Sequence, residues 1–323
     1  MWLHASQTSG KKILVYSPDT DALFISLLMV NPIIQDVCLQ VNPLGKPRQV
    51  LSITKLIEAL KNDPYLRGIP EEDRPASLVS LYILSGCDYT SFFVGCGKAS
   101  FMKALFDHAS FISADTHKTP GSLARLTAES GFLAWLRLVG TVYFQKHKSA
   151  FPNHTSPQSL FTALQSPTTT ITEQHHRFIE VIRSTIWERI VFEDNLIPSP
   201  DALKLHYRRA CWVVNYWKQS AINDMHPLPI TSYGWKKETT TVQVEWDSTV
   251  NLREIRDRVT FLMRGCACKK SKCKTKQCSC VKNNKPCGPG CSCCDCHNGE
   301  GKHYYIIMSV CMHSITFSPL ILI

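Results

Sequence analysis

The sequence predicts an α/β protein with a helical middle region and a small, irregular, cysteine-rich module near its C-terminus. Three observations predict this. A short apolar run, Ile13 to Tyr16, is typical of a strand buried in a parallel sheet, and it opens an α/β domain over residues 1–112. Apolar residues at helical spacing follow over residues 113–225. Ten of the fifteen cysteines then fall between Cys266 and Cys296.

Composition narrows the class of protein. A chain of 323 residues with 44% hydrophobic content can bury one sizeable core beside a small module. The net charge of +10 lies largely in the last quarter, which favours a polyanionic partner over a small-molecule substrate. The N-terminus lacks the apolar core of a secretory signal, so we expect a reducing compartment and metal-bound rather than disulfide-bonded cysteines.

The first strand is followed by two aspartates in the run S-P-D-T-D. Asp19 and Asp21 are therefore predicted at the carboxyl end of a strand, where open α/β sheets place their ligands. Two carboxylates one residue apart can bind a hard cation such as Mg²⁺ or Mn²⁺. The same run could instead close a turn and cap a helix, since Ala22 to Val30 continues as helix or strand. A further helix is predicted from Leu51 to Lys61.

The middle region predicts helices near residues 122–147, 173–195 and 201–220. The last of these contains the run C-W-V-V-N-Y-W. Trp212 and Trp217 could stack on nucleic-acid bases, but an apolar helix face packed into the core explains them better.

Two adjacent histidines, His175 and His176, fall in the second predicted helix. Neighbouring residues on a helix point about 100° apart, so this pair is poorly placed to bind a metal. We expect both side chains on the surface.

Two segments flank the cysteine-rich module of residues 262–299. Residues 226–261 form a linker in which Val242 to Trp246 alternates as a short strand does. Residues 300–323 are apolar and close to the length of a membrane span. Polar residues and a proline interrupt this tail, so an alternative C-terminus from read-through or splicing is the favoured interpretation, and no membrane partner is expected.

The spacing of the cysteines predicts more than one metal ion. Nine of them follow the pattern C-x-C-x4-C-x4-C-x-C-x6-C-x3-C-x-C-x2-C. Because tetrahedral zinc takes four ligands, nine thiolates can saturate about three ions only if about three of them bridge. The predicted ligands are Cys266, Cys268, Cys273, Cys278, Cys280, Cys287, Cys291, Cys293 and Cys296.

This pattern closely resembles the tesmin-like CXC module, also called the cysteine-rich CRC module, over about residues 264 to 298. The resemblance implies a zinc cluster that supports a small unit docking on duplex DNA, and hence a nuclear protein. One position departs from the family: Gln277 stands where a minor-groove tyrosine usually precedes the fourth cysteine. An altered sequence preference is the expected consequence, although amides also read minor-groove edges.

Cationic residues surround the predicted cluster and are the expected phosphate contacts: Arg264, Lys269, Lys270, Lys272, Lys274, Lys276, Lys282 and Lys285. Two alternatives remain open. The lysines could serve only to neutralise the anionic cluster, as in a metallothionein, or the module could contact protein.

The N-terminal part resembles the flap-endonuclease branch of the PIN-like nucleases over about residues 10 to 108. The motifs are the strand-end D-x-D, the later L-S-G-C-D-Y and the following G-C-G-K. The resemblance implies divalent-metal carboxylates and a helix-hairpin-helix turn whose backbone N–H groups grip a DNA phosphate. The carboxylates are Asp19, Asp21 and Asp88, and the hairpin residues are Gly95, Gly97 and Lys98.

That family uses a larger carboxylate set, most of it upstream of the D-x-D. No acidic residue precedes Asp19 here, so the resemblance implies a truncated PIN-like domain. Two functions follow: a zinc-dependent DNA-binding protein with an inactive PIN-like scaffold, or a metal-dependent, structure-specific nuclease that the CXC module targets. The whole order of segments resembles transposon-like hypothetical proteins.

Overall fold

The computed structural model describes residues 12–30, 36–41, 49–114, 122–124, 126, 129–187, 197–239, 241–263, 265–269, 272–284, 286–287, 291–293 and 296–298. It is a mixed α/β structure in which helix predominates. The strands are β1 (Lys12–Tyr16), β2 (Asp36–Val41), β3 (Gln49–Ser52), β4 (Trp235–Glu238) and β5 (Thr241–Val244). The helices are α1 (Asp21–Met29), α2 (Ile53–Asn62), α3 (Arg74–Leu84), α4 (Lys98–Ile112), α5 (Glu129–Lys146), α6 (Pro157–Ala163), α7 (Ile171–Trp187), α8 (Pro200–Lys218), α9 (Thr249–Met263) and α10 (Ser279–Lys282).

The N-terminal sheet has the strand order β1-β2-β3. β1 runs parallel to β2, but β3 is antiparallel to β2. The expected all-parallel sheet is therefore not what the described strands form. Only residues 42–48 join β2 to β3, and a parallel connection needs a crossover of a dozen or more residues.

One face of this sheet is packed and the other is open. Val37 and Leu39 are fully buried, whereas the side chains of Leu14 and Tyr16 are 59% and 62% exposed. The strand predicted from Ile13 to Tyr16 is confirmed, but its burial on both faces is wrong, because β1 lies at an edge of the described sheet and only its Val15 side chain is buried.

Local capping sets where several helices begin. The Ser52 hydroxyl accepts a hydrogen bond from the Lys55 N–H at the start of α2, at 3.2 Å. The Ser199 hydroxyl does the same for Ala202 at the start of α8, at 3.1 Å, with Pro200 in the first turn. These caps place α8 one residue before its predicted start.

A single apolar core extends from β1 to β4 through the helical middle region. Helix α8 packs against α1, α3 and α5, so the sheet and the helical region share this core. Trp212 and Trp217 are 8% and 4% exposed, which confirms that they are core residues. Trp135 is fully buried and lies between the rings of Phe101 and His206, with centroids 5.8 and 5.5 Å away.

The prediction that His175 lies on the surface is wrong. Its imidazole is fully buried, and its Nδ1 donates to the Ile171 carbonyl at 2.6 Å. Its Nε2 therefore accepts from Arg137 Nη1, at 2.7 Å. Since that arginine stays charged, this arrangement requires a neutral imidazole, and burial, together with the neighbouring guanidinium, lowers the pKa of His175 to about 4.

His206 forms a second buried histidine site. Its Nε2 donates to the Leu84 carbonyl at 2.8 Å, and burial lowers its pKa to about 4. This bond ties α8 to the end of α3 and leaves an imidazole that is neutral while the fold is intact.

Because of these two histidines, we expect the part of the chain before the cysteine-rich module, called the body below, to lose stability in acid. Their folded pKa values lie below the ordinary 6.5, so the unfolded chain binds protons that the folded chain cannot. Their stabilising contribution is complete above pH 6.5 and is lost as the pH falls towards 4. We expect a loss on the order of 3 kcal/mol for each histidine by pH 4, and a flatter pH profile for His206→Phe.

Urea unfolding followed by tryptophan fluorescence measures this effect without interference from the cysteine-rich module, because all seven tryptophans lie outside it. Equal unfolding free energies at pH 7 and pH 4.5 would contradict the assignment of neutral buried imidazoles.

In the part of the chain that the structure describes, no helix is long and apolar enough to cross a bilayer. The apolar tail of residues 300–323 lies outside the described residues.

Candidate metal centre and carboxylate cavity

The cysteine-rich module has little regular structure, so turns position its sulfurs. Lys272 and Cys273 have φ values of 45° and 58°, a left-handed conformation that is costly for both residue types. Asn284 ends helix α10 in the same conformation, with φ 49°. Strained turns in so small a segment imply that contacts among the cysteines, rather than backbone preference, hold them in place.

The sulfurs form one cluster at the spacing that zinc requires. Tetrahedral Zn–S bonds of about 2.3 Å place ligand sulfurs about 3.8 Å apart. The observed Sγ–Sγ distances are 3.5 Å for Cys266–Cys273, 3.7 Å for Cys266–Cys287, 3.9 Å for Cys278–Cys287 and 3.6 Å for Cys280–Cys291. None of the cysteines among the described residues forms a disulfide.

Three overlapping groups of four sulfurs could each hold an ion. Cys266 belongs to all three groups, and Cys273 and Cys287 each belong to two. Cys296 is in none of them, although its sulfur packs in the same cluster and accepts from the Asn298 N–H at 3.3 Å. The groups are Cys266, Cys280, Cys287 and Cys291; Cys266, Cys273, Cys287 and Cys293; and Cys266, Cys268, Cys273 and Cys278.

The chemistry of this donor set fits zinc. Sulfur is the ligand that zinc accepts in closed structural sites, and these sulfurs are crowded together where their mutual charge is unfavourable without a cation. Burial raises the pKa of Cys280 to about 12 and that of Cys293 to about 11. A bound metal displaces those protons, so loading of the site depends on pH.

The predicted DNA-contacting residues lie on the outside of this cluster. The side chains of Lys269, Lys272, Lys274, Lys276, Gln277 and Lys282 are all exposed. Arg264, Lys270 and Lys285 fall outside the described residues. The described part of the module therefore presents a cationic surface around a sulfur-rich interior.

The three predicted carboxylates line one cavity of about 440 Å³ in the body. Asp19 Oδ1 accepts from the Asp21 N–H at 2.9 Å, and Asp21 Oδ1 accepts from the Tyr82 hydroxyl at 2.7 Å. Burial raises the pKa of Asp21, and the charges of Asp19 and Asp88 raise it further. A carboxylate whose protonated form is favoured by neighbouring carboxylates is electrostatically suited to sharing a divalent cation with them.

Lys98 has its ammonium turned inwards. It donates to the Gly86 carbonyl and lies 4.1 Å from the centroid of the Tyr82 ring, beside the carboxylate cavity. Burial lowers its pKa. Its amine therefore faces the body and not an external phosphate.

The predicted hairpin is a pair of tight turns between α3 and α4, closed by the single bridges Cys87–Thr90 and Phe93–Cys96. Gly95 has φ 68°, a left-handed conformation that favours glycine, and Gly97 caps α4 with open space beside it. Backbone N–H groups at this helix start remain the expected phosphate contact.

Aromatic residues in the carboxylate cavity were missed by sequence reasoning. Tyr89, Tyr216 and Trp217 complete its wall, and Tyr82 binds Asp21 from α3. Tyr89 directly follows Asp88 in the sequence, and this adjacency could have indicated that Tyr89 lies near the carboxylates. Tyr216 reaches the cavity from α8, and no local pattern indicates that.

Comparison with known proteins finds a family match for the cysteine-rich module. Residues 263–300 match the family described as Tesmin/TSO1-like CXC domain, cysteine-rich domain. A search of curated proteins and a search of solved structures each gave no match. The chain thus contains a CXC domain whose clustered cysteines could hold zinc, in a family of domains typically associated with nucleic acid.

Proposed function

We propose that this protein is a zinc-dependent DNA-binding protein whose CXC module docks on duplex DNA. The observation that carries the proposal is the gathering of nine separate cysteines into one sulfur cluster surrounded by exposed lysines. About three zinc ions would fill it, with Cys266, Cys273 and Cys287 as the bridging thiolates that the overlapping groups favour.

The electrostatics favour a polyanion. Three zinc ions with nine thiolates carry a formal charge of about −3, which the lysines of the module offset and then exceed. Lysines fixed around a rigid cluster bind phosphates with little ordering cost and release condensed counterions. Gln277, exposed among them, would offer an amide to base edges in the minor groove.

We further propose that the body is a PIN-like domain acting as a scaffold, in a nuclear protein of transposon-like origin. Support comes from the order of its motifs: the strand-end D-x-D after β1, the later Asp88, and the glycine turn before α4. The parallel pairing of β1 with β2 is compatible with this assignment.

Removing four exposed lysines of the module should weaken binding to all DNA sequences by a similar factor. The variant is Lys269→Ala, Lys274→Ala, Lys276→Ala and Lys282→Ala. If each contacts one phosphate, the slope of log K against log salt should shrink by about 3 to 4. Fluorescence anisotropy of a labelled duplex at several salt concentrations measures both quantities.

A matched variant removes four exposed lysines of the body, Lys55, Lys148, Lys218 and Lys237. It should leave the salt dependence unchanged. A slope that falls in the body variant, and not in the module variant, would move the DNA-contacting surface to the body.

A second candidate function is a divalent-metal-dependent, structure-specific nuclease targeted by the CXC module. The specific observation in its favour is that Asp88, which is distant in sequence from the neighbouring Asp19 and Asp21, lines the same cavity as they do. Mg²⁺ or Mn²⁺ held there could orient a water against a phosphodiester.

Cleavage assays on flap and duplex substrates separate the two functions. The scaffold proposal predicts zinc-dependent binding that survives Asp19→Ala and Asp88→Ala, with no cleavage in Mg²⁺ or Mn²⁺. Cleavage by the parent chain that both variants lose would establish the nuclease and reject the inactive scaffold.

A further inference from the structure

A second cleft of about 420 Å³ lies in the body, apart from the carboxylate cavity. Helix α5 contributes Phe132, α7 contributes His176, and α8 contributes Lys204, Tyr207 and Arg208. Its volume is within the range of about 300 to 1,000 Å³ that is usual for small-ligand sites. The cleft plays no part in the function proposed above.

The floor of this cleft is apolar. Phe132 and Tyr207 are 5% and 6% exposed, and their ring centroids are 5.4 Å apart. The His176 ring meets Phe132 edge-on at 6.1 Å, and its Nε2 has no hydrogen-bond partner among the described residues. Such a floor fits a flat ring that can offer hydrogen-bonding groups at its edge.

The rim is cationic. Lys204 and Arg208 lie one turn apart on α8, and both are exposed. The Arg208 guanidinium is oriented by donating from Nη2 to the Ser232 carbonyl at 2.6 Å, and a guanidinium has further N–H groups to offer. No salt bridge within the described part of the chain occupies Lys204.

One acidic residue also lines the cleft. The Glu129 carboxylate accepts from the Thr172 hydroxyl at 3.1 Å. The two cations outnumber this single anion, so the rim favours a ligand with negative charge.

We propose that this cleft binds a nucleotide, with its base on the Phe132–Tyr207 floor and its phosphate between Lys204 and Arg208. A planar ring joined to a phosphate is the chemistry that an apolar floor and a cationic rim recognise together. A free mononucleotide and the terminal nucleotide of a single strand share this chemistry. The proposal stands whether or not the CXC module binds duplex DNA.

Calorimetric titration of the full chain with 5′-AMP, adenosine and inorganic phosphate tests the site. AMP should bind at least about tenfold more tightly than either half-ligand, because only AMP engages floor and rim together. A 5′-phosphorylated trinucleotide identifies the source. If it binds more tightly than AMP the ligand is a strand terminus, and if it binds more weakly the ligand is a free nucleotide; both results support the site.

Substitution of the exposed rim residues locates the binding. The double variant Lys204→Ala and Arg208→Ala should lower AMP affinity at least about tenfold. Matched controls are the pair Lys148→Ala and Lys218→Ala and the module variant with four lysines removed, which should both bind AMP as the parent does. Unchanged affinity in the rim variant, loss of AMP binding in the module variant, or no AMP binding at millimolar concentration would each overturn the proposal.

Discussion

Replacing Cys266 with serine should release zinc from the module and abolish DNA binding. The sulfur of Cys266 is buried and belongs to all three four-sulfur groups, so its loss removes a bridging ligand on which the shared cluster depends. Structural zinc contributes on the order of 10 kcal/mol or more to folding, far more than so small a segment can gain by burying apolar surface. The lysines would then lose their fixed arrangement.

Elemental analysis and fluorescence anisotropy measure the two losses. Cys38→Ser is the matched control, because Cys38 is a free thiol on β2, outside the cluster. The tryptophan unfolding transition should stay unchanged in both variants, since the tryptophans report only the body. A Cys266→Ser protein that keeps its full zinc content would refute a shared cluster built on this sulfur.

Replacing Arg137 with alanine should destabilise the body by about 3 to 5 kcal/mol, because each acceptor left without its donor costs about 1 to 3 kcal/mol. The side chain is fully buried. Its guanidinium donates to the Ile112 carbonyl at 3.1 and 2.9 Å, to the Ala114 carbonyl at 3.2 Å, and to His175 at 2.7 Å. Alanine leaves all of these acceptors unpaired in the core.

Urea unfolding at pH 7, followed by tryptophan fluorescence, gives the free-energy difference. Arg177→Ala removes an exposed arginine from the facing helix α7 and should change stability by less than about 0.5 kcal/mol. The zinc content should be unaffected in both variants. A cost below about 1 kcal/mol for Arg137→Ala would mean that the buried network contributes little to folding.

The metal centre could be predicted because all of its cysteines lie within one short segment of the sequence. Nine cysteines at fixed intervals must meet within a short segment whatever the rest of the chain does, and the match of residues 263–300 to the CXC family agrees with that interpretation. Spacing does not reveal which sulfurs are shared. That depends on turns such as Lys272–Cys273, whose left-handed backbone no propensity predicts.

The helical region shows what periodicity can and cannot establish. Leu123 and Leu126 are buried as their spacing predicts, but they precede helix α5, which begins only at Glu129. Apolar spacing therefore indicated burial correctly and conformation incorrectly. The burial of His175 gives no local signal in the sequence, because its partner, Arg137, lies 38 residues away.

The carboxylate cavity could be predicted from the sequence only in part. Asp19 and Asp21 were placed correctly after a strand, and Asp88 does join them at one cavity. The inward turn of Lys98 was not foreseen, because it depends on how α3 and α4 bring the Gly86 carbonyl and the Tyr82 ring together.

Native mass spectrometry of the intact protein, together with counting of its free thiols, is the most direct test of the central claim. A metal-bridged sulfur cluster predicts close to three zinc ions on each chain, released cooperatively by a chelator, with every cysteine recovered as a thiol. A chain with no bound zinc whose cysteines are oxidised in pairs would contradict the claim, and one with a single ion would reject the shared cluster.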